Sequence, residues 1–90
     1  MSTLKSFEES ENFVREKIKN GSEIKKHVDK ICSNIENMIT LQPDVKNEAN
    51  DFIGAINEYV KQDKQGLYEI RNLTKALDKI TCKYQYKKFF

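Results

Sequence analysis

Apolar residues recur at alternating spacings of four and three along most of this 90-residue chain. That is the period of an amphipathic helix. The cleanest run is Ile24, Val28, Ile31, Ile35 and Met38, with Cys32 and Ile39 widening the seam. About three positions in seven are then apolar, enough for one face of a packed bundle. A shorter stripe precedes it: Leu4, Phe7, Val14 and Ile18, with Phe13 beside it and Glu11 interrupting. Val45, Ala49, Phe52, Ile56 and Tyr59 form a third stripe, widened by Ile53 and Val60, and Leu67, Ile70, Leu73, Leu77, Ile80 and Tyr84 form a fourth.

Capping residues set the expected boundaries. The first helix is expected over about 3–20, with Ser6 and Glu9 at capping-box spacing. Glu8, Glu9 and Glu11 fall early in it and Lys17 and Lys19 late, as the helix dipole favours. Asn20-Gly21 reads as its stop. Ser22 is the expected N-cap of a second helix reaching about Thr40, which Leu41-Gln42-Pro43 ends, because the residue before proline avoids the helical region. Pro43 suits the first turn of a third helix running to about Gln62.

Residues 61–66 contain no apolar side chain. The heptad register nevertheless passes through Asp63 and Gly66 and meets the fourth stripe in phase. Two architectures follow, both all-α. The preferred one is four short helices in an antiparallel bundle, with a turn at 61–66. The alternative is two N-terminal helices plus one long helix over 43–84, which would self-associate to cover its stripe. Charge and glycine at the two central seam positions favour the turn. Residues 1–82 are read as one helical domain and 83–90 as a basic-aromatic tail.

Composition narrows the class. With 38% apolar and 33% charged residues, three glycines and one proline, the chain reads as helical and soluble. No stretch approaches the roughly 20 apolar residues of a membrane span, so a membrane partner is not expected. The first residues lack an apolar signal core, which points to the cytoplasm. Lysine outnumbers arginine fourteen to two, and isoleucine and asparagine are abundant. That bias is typical of an AT-rich coding genome, such as that of a phage, a low-GC bacterium or a protist. The net charge of +2 is unevenly placed. Residues 1–43 hold seven bases and seven acids, 44–82 six and seven, and 83–90 three lysines with no acid.

Catalytic chemistry finds little support. His27 is the single histidine, with Glu23 one helical turn before it. Cys32 lies about 140° around the helix from His27, so the base and thiol that nucleophilic catalysis requires do not face each other. One histidine and two distant cysteines fall short of a zinc site, no Glu-x-x-His motif for a di-iron site occurs, and there is no glycine-rich phosphate loop. Neither a cofactor nor a metal is expected. Cys32 and Cys82 read as reduced, buried thiols.

Two surfaces remain. At the joint of the first two helices, Lys17, Lys19, Lys25, Lys26 and His27 gather around Asn20-Gly21-Ser22. Lys19, Ser22, Lys25 and Lys26 are the candidate anion-binding residues, since free amides at a helix start can hold phosphate or carboxylate. The tail offers Tyr84, Tyr86, Lys87, Lys88, Phe89 and Phe90 as candidate partner-binding residues, because aromatics are common interface anchors. The expected function is that of a small non-enzymatic helical interaction protein, of the inhibitor, immunity or complex-subunit type. It would bind a protein partner or self-associate. The alternative is a module that sequesters a nucleotide or nucleic acid through the lysine joint and the aromatic tail.

Overall fold

Each apolar stripe folds as a helix with that stripe turned inward. The computed structural model describes residues 6–62 and 66–88. These contain α1 (Phe7–Lys19), α2 (Gly21–Ile24), α3 (Val28–Leu41), a 3₁₀ turn (Pro43–Val45), α4 (Lys46–Lys61) and α5 (Leu67–Lys88). No strand occurs among the described residues. Helix α1 packs on α3, α3 on α4, α4 on α5, and α5 back on α1. Cross-links fix the alternating direction. Asn37 Nδ2 near the end of α3 donates to Ser10 Oγ near the start of α1 at 2.8 Å. Lys83 Nζ lies 3.2 Å from Glu48 Oε1, and the Phe7 and Tyr84 rings stack with centroids 3.8 Å apart. The molecule is therefore an antiparallel all-α bundle.

The core follows the stripes. Val14, Ile18, Ile31, Ile35, Met38, Val45, Ala49, Phe52, Ile56, Leu73, Leu77 and Ile80 are buried. Leu4, expected in the first stripe, lies outside the described residues. Leu67 departs from the pattern, being 73% exposed. It opens α5 at the hairpin end, beyond the level at which the facing helices cover that helix.

The single helix over 43–84 does not form: α4 and α5 are separate, antiparallel helices, as the preferred architecture expects. Helix α4 stops at Lys61, where Gln62 turns extended and its amide closes onto the Glu58 carbonyl. Gly66 precedes α5, and its amide donates to Glu69 Oε2 at 3.1 Å. That is the reciprocal half of a capping box. Residues 63–65 lie outside the described residues. Ser6 caps α1 as expected, accepting from the Glu9 amide at 3.2 Å. Pro43 occupies the first turn of the 3₁₀ segment leading into α4.

The second helix is broken, and Ser22 is not its cap. Asn20 is extended and precedes the single turn of α2, inside which Ser22 lies. The chain then turns through 25–27 before α3 begins. The His27 amide is shared between the Glu23 and Ile24 carbonyls at 3.1 and 3.2 Å, and the His27 ring meets Glu23 at 2.9 Å. The break lets Ile24 point fully inward and close that end of the core. A four-residue gap between Ile24 and Val28 suits a continuous helix and a broken one alike, so periodicity alone does not reveal it.

Gly21 sits in a tight space and does not adopt a left-handed backbone, since no glycine has positive φ. A Cβ there would lie 2.9 Å from Ile70 Cδ1 and 3.6 Å from the Tyr59 hydroxyl. Cys32 is half-buried, as expected of a packing thiol, whereas Cys82 is exposed, because its position on α5 falls opposite the core stripe.

Candidate functional site

The core stripe of α5 occupies one side of a 22-residue helix, and its opposite side carries a second stripe. Tyr68, Asn72, Lys75, Lys79, Cys82 and Tyr86 repeat the four-three spacing half a turn out of phase, and all are exposed. Arg71 flanks them, equally exposed. Tyr68 and Tyr86 are 73% and 66% exposed and stand about 27 Å apart along the helix. Arg71, Lys75 and Lys79 follow at intervals of four, a ladder of cations rising about 6 Å per step. None of the three forms an ion pair among the described residues.

Acidic groups border this ridge on both sides. Toward α1, Asp78 pairs with Arg15 Nη1 at 3.0 Å, and Glu11 takes Arg15 Nη2 at the same distance. Arg15 Nη2 also donates to Thr81 Oγ1 at 3.3 Å, so one guanidinium ties α1 to α5. Toward α4, Lys83 is held by Glu48, and Glu58 and Glu69 line a pocket of about 200 Å³ with Ala55, Tyr59, Tyr68 and Leu73. The unpaired cations of this ridge, Arg71, Lys75 and Lys79, all lie on α5.

Under that pocket, the Tyr59 hydroxyl is buried without a hydrogen-bond partner. Burial, and then the charge of Glu69, push its ionisation upward. Near the other end of α5, burial and then the hydrogen bond to Glu8 push the Tyr84 phenol upward too. Burial likewise raises the Cys32 thiol, helped by Glu36 and Asp29. No group of three or more metal-ligating side chains assembles among the described residues, and no helix there is long and apolar enough to cross a membrane.

The lysine joint differs locally from the expectation. Lys19 ends α1, Ser22 sits within α2, and Lys25 and Lys26 lie in the turn that follows, all exposed. The two lysines therefore stand after a one-turn helix and not in the first turn of a long one. The Glu23 amide of that turn is already given to the Asn20 carbonyl at 2.8 Å. So short a helix also sums too few peptide dipoles to form a strong anion site.

The aromatic tail is divided. Helix α5 runs without interruption from the bundle through Lys88. Tyr84 packs on Phe7 and donates to Glu8 Oε2 at 3.2 Å, whereas Tyr86 stands on the outward stripe. The side chains of Lys87 and Lys88, and the whole of Phe89 and Phe90, lie outside the described residues. Sequence reasoning did not single out Tyr68, Arg71, Lys75 and Lys79. Their signal was available as the complementary phase of the fourth stripe.

No protein-family model, curated protein or solved structure matches this chain.

Proposed function

We propose that this chain is a small non-enzymatic interaction protein that binds a protein partner through the outer stripe of α5. The observation that carries this reading is the pair of exposed tyrosines, Tyr68 and Tyr86, on one stripe of the same helix. Exposed tyrosines are frequent binding anchors, because they bury a large area at little cost in rotamer freedom. The helix beneath is held rigidly by Leu73, Leu77 and Ile80 and by the Arg15 clamp. A preordered surface loses little entropy on binding.

Affinity capture from the source cells tests the proposal. The wild-type chain should retain a specific partner, and Tyr68→Ala with Tyr86→Ala should lose it while keeping the same melting temperature. Lys25→Glu with Lys26→Glu should retain it. Capture that survives the tyrosine changes and fails on the lysine changes would move the functional surface to the α1–α3 joint.

A further inference from the structure

Resting on the preceding reading of α5, we infer that the occupant of its outer stripe is an amphipathic helix of a different protein, carrying a narrow acidic row. The first argument is charge. The described part of the stripe carries Arg71, Lys75 and Lys79, and the one acid beside them, Asp78 on the α1 edge, is already paired with Arg15. Apposed like charges cost stability, whereas complementary ones steer and orient a complex.

That same charge excludes a second copy lying stripe to stripe. An antiparallel pair centred on Leu77 would place Lys75 against Lys79 twice, and a parallel pair would place each lysine against itself. Either arrangement gathers four ammonium groups at its centre.

The second argument is width. Glu11 and Asp78 border the ridge on the α1 side, and Glu48, Glu58 and Glu69 on the α4 side. A nucleic acid strand wandering off the ridge would gain no further unpaired cation there, since Arg15 is held by Glu11 and Asp78 and Lys83 by Glu48. Three cations would also give it only a weak, salt-sensitive hold, since affinity for phosphates grows with the number neutralised. A facing helix of about 10 Å diameter fits between those flanks.

The third argument is pitch. Cations at positions 71, 75 and 79 repeat at the interval of carboxylates placed four apart on another helix lying nearly along α5. Packing of that kind is usual at crossing angles near 20°. Tyr68 and Tyr86 would then cover apolar positions at the two ends of a contact about 27 Å long.

The test uses the full chain and a synthetic helical peptide of about 20 residues with Glu at every fourth position along one edge of an apolar face. Fluorescence anisotropy of the labelled peptide should report saturable binding, and the alkylation rate of exposed Cys82 should fall as the complex forms. Lys75→Glu with Lys79→Glu should weaken binding by about tenfold or more. Lysine in place of the peptide glutamates should restore binding to that variant and abolish it for the wild type.

An equal affinity of the wild type for the acidic and basic peptides overturns the inference. So does absence of peptide binding at millimolar concentration, a preference for an oligothymidylate over the peptide, or a dimer in light scattering that the lysine changes dissolve. If the tyrosine changes abolish capture from cells while the acidic peptide never binds, the α5 surface stands and the acidic partner falls. If capture ignores the stripe altogether, both fall.

Discussion

Two buried side-chain oxygens among the described residues have no hydrogen-bond partner, Asn34 Oδ1 and the Tyr59 hydroxyl, and Tyr59 gives the cleaner test. Its ring fills the core between α4 and α5, yet its hydroxyl is buried and unpartnered. A hydroxyl removed from water without a hydrogen bond is a net cost of about 1–3 kcal/mol. Tyr59→Phe should therefore leave the fold unchanged and raise stability by up to about 1 kcal/mol, read as a higher urea midpoint with the same denaturant slope. A loss of stability would mean that the oxygen has a bonded partner in solution. Ser10 is better served, accepting from Asn37, whereas Asn34 is satisfied by half: its amide donates to the Lys30 carbonyl at 2.8 Å, but its Oδ1 is buried without a partner. Sequence periodicity could not place Ser10 or Asn34 inside, because it scores them by residue type. Their burial follows from which helices happen to meet at those levels.

At the scale of the element, two glycines on similar-looking turns of sequence have opposite meanings. Gly54 sits in mid-α4, exposed, and a Cβ added there would meet nothing within 4 Å. A helical glycine with room for a methyl group costs roughly 0.5–1 kcal/mol relative to alanine. Gly54→Ala should raise stability by about that amount in chemical denaturation. Gly21 is packed against Ile70 and the Tyr59 hydroxyl. Gly21→Val should lower stability by about 1–3 kcal/mol through overpacking, and a neutral result would show that the end of the Ile70 side chain swings aside to make room. The sequence disclosed the four main helices, their inward faces and the separation of α4 from α5, because those depend on periodicity and on capping residues. It did not disclose the break after Ile24, since a gap of four residues suits both geometries. It also left the outward stripe of α5 unread, because attention to apolar positions passes over a row of tyrosine, asparagine and lysine in the opposite phase.

Across the whole molecule, charge is sorted by helix more sharply than the net value of +2 suggests. Helix α5 holds six bases and two acids, and the rest of the chain ten bases and twelve acids. Two ion pairs join α5 to its neighbours, Lys83 to Glu48 of α4 and, with the polarity reversed, Asp78 to Arg15 of α1, and the first of these makes stability sensitive to acid. The Glu48 carboxyl is held below its ordinary range, chiefly by a hydrogen bond to its own backbone amide and then by Lys83 and Lys79. A carboxyl lowered in the folded state contributes stability above the usual carboxylate range. That contribution is lost as the pH falls through the folded value, because the unfolded chain takes up the proton first. Glu48→Gln should therefore be less stable than the wild type at neutral pH. The difference should shrink as the solution is taken below the carboxylate range. Raising the salt at neutral pH should narrow the same gap, since the contact with Lys83 is partly exposed and screened. Urea denaturation of both proteins across pH 3–8 reads this directly. A gap that stays constant with pH and salt would assign the role of Glu48 to packing against α5, leaving the charge sorting without a part in holding that helix down.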